Sequence, residues 1–154
     1  MQKVPMTHTN SDEQRLLRIM YIGMALTAAL MVAPLVDLFT ADTIYNHVHA
    51  TYPHWPDRMI HEDRDAIVGW LAGVGLLGTG AWYWSIRAVR RHSRRMRIVV
   101  TSAFSLGLLV ALLNLSTGGH GYEQVVPLPY GLLSLVPTAV GLVAAVRVWR
   151  PVWS

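Results

Sequence analysis

Long uncharged runs dominate the hydrophobic pattern of this chain. The first covers residues 19–39 and holds a single charged residue, Asp37, near its far end. The second covers 66–86, the third 98–117 and the fourth 125–146, none of them with a charge. A helix crosses the hydrocarbon of a bilayer in about 20 residues, so each run is long enough. A helix of a water-soluble domain shows an apolar stripe opposite a polar face, whereas these runs are apolar all round, which points to lipid. The pattern predicts an all-α protein, an integral membrane four-helix bundle forming one domain over residues 1–154. Residues 1–13 read as a mobile polar tail, and residues 40–65 as an ordered external loop. The first run could instead be a signal peptide, since Arg15 and Arg18 precede it. It exceeds the apolar core of about 7–15 residues that such signals carry, which favours a retained span.

Composition agrees with this picture. Of 154 residues, 53% are hydrophobic and 14% charged, against roughly 25% charged in an ordinary soluble domain. There is no cysteine, so disulfide scaffolds, thiolate zinc sites, iron–sulfur clusters and cysteine nucleophiles are excluded. The net charge is +4, and its placement decides its meaning. Arg87, Arg90, Arg91, Arg94, Arg95 and Arg97 lie between the second and third runs, Arg15 and Arg18 flank the first, and Arg147 and Arg150 end the fourth. All fall on one side of a four-span chain, the side that the positive-inside rule makes cytoplasmic. Both termini are expected there, in a multi-pass protein of the cell membrane. The arginine run is a topology signal with attraction for anionic lipid, and no nucleic-acid partner is implied. Trp82, Tyr83, Trp84, Trp149 and Trp153 read as aromatic belts at this same interface.

The opposite side carries the candidate chemistry. Residues 40–65 contain His47, His49, His54 and His61 with five carboxylates, and residues 118–124 add His120, Tyr122 and Glu123. Imidazole and carboxylate form the ligand set for zinc, copper or iron, and also the usual set for acid–base work. His47-x-His49 suits a short extended or looped segment. His61 and Asp65 would lie one above the other if the second helix began a turn early, with Glu62 adjacent. The candidate cofactor is a single transition metal ion on His47, His49 and His61, or none. Asp37 is costly in hydrocarbon unless it is paired or faces a wet cavity, which makes it a candidate catalytic group beside His49, His61, Glu62, His120 and the deeper Asn114. A helix-end role or an interhelical hydrogen bond would equally explain Asp37 and Asn114. Tyr52, Trp55, Trp70 and Tyr122 are the aromatic candidates for substrate contact, although Tyr45, Tyr52 and Trp55 also suit loop anchors at the membrane surface.

Small residues predict how the helices meet. Gly69 and Gly73 form a GxxxG pair, with Gly80 on the same face, and allow close approach of a neighbouring helix or of an oligomeric partner. Gly131, Ser134, Thr138, Gly141 and Ala145 form a second stripe. Pro34 and Pro137 lie inside spans and are expected to kink them.

The stretch His49-x-x-x-Pro53-x-Trp55-Pro56, followed by His61, resembles a loop motif of small four-helix membrane proteins of bacteria and fungi, of approximate form H-x3-P-x-W-P-x-H-x3-H. Arg58 stands where that pattern carries a histidine, and His61 falls one residue short of the last one. The general build is similar to DoxX-like and anthrone-oxygenase-like proteins. The resemblance implies shared roles for His49 and His61, and oxygenation or related chemistry on lipophilic small molecules. The leading reading is therefore a membrane enzyme acting on a lipophilic small molecule, by redox or by acid–base isomerisation or cyclisation. The alternatives are a non-catalytic subunit of a membrane complex, a metal-handling or transport protein, and a pH sensor.

Overall fold

The computed structural model describes residues 7–118 and 125–150, with side chains from Ser11 onward. Five helices follow one another: α1 (Thr7–Asp37), α2 (Thr43–Thr51), α3 (Asp57–Arg90), α4 (Met96–Ser116) and α5 (Leu128–Val148). Among the described residues there is no strand. Four helices, α1, α3, α4 and α5, are long and apolar enough to cross a membrane.

Two of these helices outrun their apolar stretches. α1 is already helical at Thr7, inside the stretch read as a tail. Further along the helix, Leu16 and Met20 are buried against Ile86, Val89 and Val148. Residues 1–6 lie outside the described residues. α3 begins at Asp57, about two turns before the uncharged run starts. Pro56 stands at its N-cap with a fixed φ of −59° and Asp57 in the first turn meets the positive end of the helix dipole. The segment 40–65 is therefore the helix α2 and the start of α3, joined by a turn at residues 52–56. α5 likewise follows a proline pair, Pro127 at the N-cap and Pro129 in the first turn, where a fixed φ and a missing N–H cost nothing.

The four long helices form a ring in the order α1, α3, α4, α5, in which α1 and α3 pack most closely and the α3–α4 side is the loosest. The close approach that the GxxxG pair predicts is made elsewhere on the same helix. Gly69, Gly73 and Gly80 have no neighbouring atom where a Cβ would stand, and Gly69 and Gly73 are exposed. Gly75 and Gly78 meet α1 instead: a Cβ on Gly75 would lie 2.8 Å from the Met31 Cα, and one on Gly78 would lie 2.9 Å from the Thr27 Cγ2. Gly23 of α1 returns the contact beneath the Trp82 ring. Trp82 thus faces into the bundle, donating its indole N–H to Thr27 Oγ1 at 3.0 Å, while its neighbours Tyr83 and Trp84 are exposed as belt residues are expected to be.

Two buried clusters close the ends of the ring. At the arginine end, Leu16, Met20, Ile86, Val89, Val100, Ala144 and Val148 pack together. At the opposite end, Ile44 and Val48 of α2 pack on Ile60, Ile67, Val68 and Leu71 of α3 and on Val126. Ile44 and Val48 are four residues apart, one above the other on a single helix face, which seats α2 as a cap across that end.

Candidate functional site

Between the two clusters lies a cavity of about 360 Å³, within the range of small-molecule sites. Its wall runs from Leu71 to Ser85 on α3, from Val100 to Asn114 on α4 and from Tyr130 to Ala144 on α5, with Thr27 and Leu30 from α1. Each stretch advances fourteen residues, so the space follows the helices for about 21 Å at 1.5 Å per residue. Leu77 and Leu106 belong to the wall yet are 75% and 64% exposed. They mark the mouth, on the loosely packed α3–α4 side, facing the surroundings of the bundle rather than either end. Ser134, Thr138 and Gly141, from the predicted small-residue stripe of α5, line the cavity with Pro137. Small side chains there leave room that larger ones would fill.

Most polar groups of the wall are spent within the protein. Thr27 Oγ1 donates to the Gly23 carbonyl, Ser134 Oγ to Gly131 and Thr138 Oγ1 to Ser134. Ser85 Oγ is buried and makes no hydrogen bond. Among the described residues, no Asp, Glu, Lys, Arg or His lines the space. Spare polar capacity lies at both ends of the wall, in Ser85 toward the arginine end and in Asn114 and Tyr130 toward the α2 end.

Asn114 is buried, and its Oδ1 accepts the indole N–H of Trp70 at 3.0 Å. An indole nitrogen only donates, so the amide is oriented unambiguously: oxygen toward Trp70, Nδ2 away from it. The hydroxyl of Tyr130 lies near the carboxyl of Asp37. Asp37, the last residue of α1, also accepts from Thr43 Oγ1 at 2.8 Å and from the Ile44 backbone N–H at 3.4 Å. These are the first residues of α2, whose early N–H groups lack intrahelical partners. The N-cap residue itself, Asp42, adopts a left-handed φ of 44° and makes no side-chain cap bond. Its carboxylate is drawn instead to Arg64, at 3.0 Å, which also pairs with Asp65. Asp37 therefore joins α1 to α2, and stands beside the Tyr130 phenol on the cavity wall.

The structure brings three of the predicted residues together at this end: Asp37, Asn114 and Trp70, with Tyr130 as the link that sequence reasoning missed. A tyrosine one turn inside an apolar run reads as an interface residue, and nothing in its spacing ties it to Asp37. The predicted histidines lie elsewhere. His47 and His49 stand on α2, not on an extended segment, and two positions on a helix diverge by about 200°. His49 stacks on Tyr45 with ring centroids 5.9 Å apart, and His61 meets the same ring at 5.0 Å. Neither lines the cavity. Among the described residues, no three His, Asp or Glu side chains are grouped closely enough to hold a metal ion. Glu62 is paired with Arg58 at 2.8 Å on an exposed helix face. Tyr52 and Trp55 stack on each other, centroids 3.8 Å apart, against the α2 cluster. His120 and Tyr122 lie outside the described residues.

Comparison with known proteins adds no relative, since no family model, curated protein or solved structure matches this chain.

Proposed function

We propose that this chain is a multi-pass protein of the cell membrane that takes a lipophilic small molecule from the bilayer into its central cavity and acts on it as an acid–base enzyme, an isomerase or cyclase. The observation that carries the reading is the cavity itself, apolar along its length, open sideways between α3 and α4, and furnished at one end with Asn114 and the Tyr130–Asp37 pair. A sideways mouth suits a substrate dissolved in lipid. The groups on the wall at its α2 end are proton donors and acceptors, which favours acid–base chemistry. In this reading Tyr130 exchanges a proton with the substrate, Asp37 acts through Tyr130 from beside it, and Asn114 orients the reacting group. The arginine-bearing end faces the cytoplasm, as the positive-inside rule requires. The loop likeness to DoxX-like and anthrone-oxygenase-like proteins also favours lipophilic substrates.

The test compares lipid extracts of membranes bearing wild-type protein, Tyr130→Phe, and His49→Ala/His61→Ala, by mass spectrometry. The expected result is one lipophilic species that accumulates with Tyr130→Phe and an isomer of it that disappears, with the histidine variant matching wild type. Identical profiles for wild type and Tyr130→Phe would overturn the enzymatic reading.

A second reading, a non-catalytic subunit, is favoured by one observation: Gly69, Gly73 and Gly80 offer an uncovered small-residue face on α3, of the kind helices use to associate in membranes.

A further inference from the structure

We infer that the arginine end of the bundle is an organised binding face for the phosphates of anionic phospholipids, built around the α3–α4 turn, rather than a zone of diffuse positive charge. The inference goes beyond the proposed function: it shares the membrane reading and owes nothing to the cavity. Packing gathers the charges. Leu16, Val89 and Val148 are buried in one cluster, so their chain neighbours Arg15, Arg90 and Arg147 are brought to the same end of the molecule. Arg15, Arg18, Arg90, Arg91, Arg94 and Arg95 are exposed there, and among the described residues none of the six pairs with a carboxylate. At the opposite end the protein supplies its own counter-charge, to Arg58 from Glu62 and to Arg64 from Asp42 and Asp65. A crowd of unneutralised like charges destabilises a compact state, and an anion from outside relieves it.

The turn that carries four of these arginines is held in one shape. His92 N–H donates to the Val89 carbonyl at 2.9 Å and Ser93 N–H to that of Ala88 at 3.1 Å, the paired bonds of a Schellman helix end. His92 takes the left-handed position of that motif, with a φ of 47°, where glycine is the usual residue. A histidine there is strained in its backbone, and its side chain has a use: Nε2 lies 3.4 Å from Oε2 of Glu13 on α1. The contact ties the turn to the helix that bears Arg15 and Arg18. The residue type adds a second argument. Twelve of the 13 basic residues are arginine, whereas the positive-inside rule counts lysine and arginine alike. Arginine's fork of N–H groups matches two phosphate oxygens at once, which the lysine ammonium does not. Depth favours lipid over any other source of phosphate. Ile98 and Trp149, 64% and 58% exposed, present apolar surface within about a turn of Arg94, Arg95 and Arg150, and the Arg97 guanidinium lies over the Trp149 ring, 5.4 Å from its centroid. The arginines therefore stand at the level of the headgroups of the membrane that the helices cross.

The test is native mass spectrometry of the full-length protein released from detergent micelles, with phosphatidylglycerol and phosphatidylcholine of identical chains added in equal amounts. Micelles have no sides, so a change of topology cannot imitate a loss of binding. The expected result is phosphatidylglycerol retained about tenfold more than phosphatidylcholine, the effect of one or two arginines near a phosphate. Arg90→Gln/Arg91→Gln/Arg94→Gln/Arg95→Gln should abolish the preference, and Arg58→Gln, at the opposite end, should leave it intact. Lysine at the same four positions keeps the charge and should lower the preference about threefold, the loss of one net hydrogen bond. His92→Gly keeps the left-handed turn and removes only the imidazole, so it should weaken the preference to a similar extent without lowering the unfolding temperature. A Gln variant that keeps the preference, or a Lys variant that matches wild type, would overturn the organised face in favour of diffuse charge. An unchanged preference in His92→Gly would overturn the part given to the tether. Equal retention of the two lipids by wild type would overturn the lipid assignment and leave the arginines to an acidic macromolecule. A chain that stays monodisperse without detergent would remove the membrane reading itself, a result separate from any change in lipid preference.

Discussion

Removing the Asp37 carboxyl has two separable consequences, because it bonds the start of α2 and stands near the phenol at the cavity. Asp37→Asn keeps an oxygen acceptor for Thr43 and Ile44, so thermal unfolding in detergent should stay close to wild type. Asp37→Ala loses the acceptor and should cost about 1 kcal/mol, the usual loss for an unmade helix cap. An Asn variant as unstable as the Ala variant would show that charge, not hydrogen bonding, seats α2. At this scale the sequence exposed part of the site. Asp37 and Asn114 stand out because polar groups in apolar runs need a reason. Tyr130 does not stand out, since tyrosine is at home at membrane interfaces, and Trp82 was hidden among the belt residues Tyr83 and Trp84 for the same reason. The histidines drew attention by number, but three-dimensional grouping depends on helix phase, and α2 turns His47 and His49 away from each other.

The helices themselves were legible wherever uncharged runs supply the signal, and less so where packing supplies it. α2 shows only an apolar pair, Ile44 and Val48, within polar residues, and the first two turns of α3 carry charges on every exposed side. Both depend on burial against each other. Glycine spacing alone does not say which face of α3 meets α1, because Gly69, Gly73, Gly75, Gly78 and Gly80 offer two candidate faces. Two substitutions separate them. Gly75→Ala drives a methyl group into the Met31 backbone and should lower stability by about 1–3 kcal/mol, the common cost of overpacking. Gly73→Ala meets open space and should leave unfolding unchanged or raise its midpoint, since alanine favours helix over glycine by about 1 kcal/mol. Cross-linked oligomers lost on Gly73→Leu, with the monomer intact, would support the subunit reading of that face. A destabilised Gly73→Ala monomer would contradict the packing described.

For the molecule as a whole, the account turns on a bundle closed by apolar clusters at both ends and left open along one side. The sequence implied four spans but not the space among them, because a cavity is a property of facing surfaces: Gly107 and Ala103 of α4 opposite Ser134, Thr138 and Gly141 of α5, and Gly78 and Ala81 of α3. The measurement that bears most directly on this is mass spectrometry of the organic extract from detergent-purified protein, wild type against Gly107→Trp. Gly107 lines the cavity next to Leu106 at its mouth, is exposed and has open space where its Cβ would be, so an indole there obstructs the mouth without displacing a neighbour. The account predicts a lipophilic compound near one equivalent per chain in wild type, lost in Gly107→Trp at unchanged unfolding temperature. The same lipid content in both proteins would contradict it.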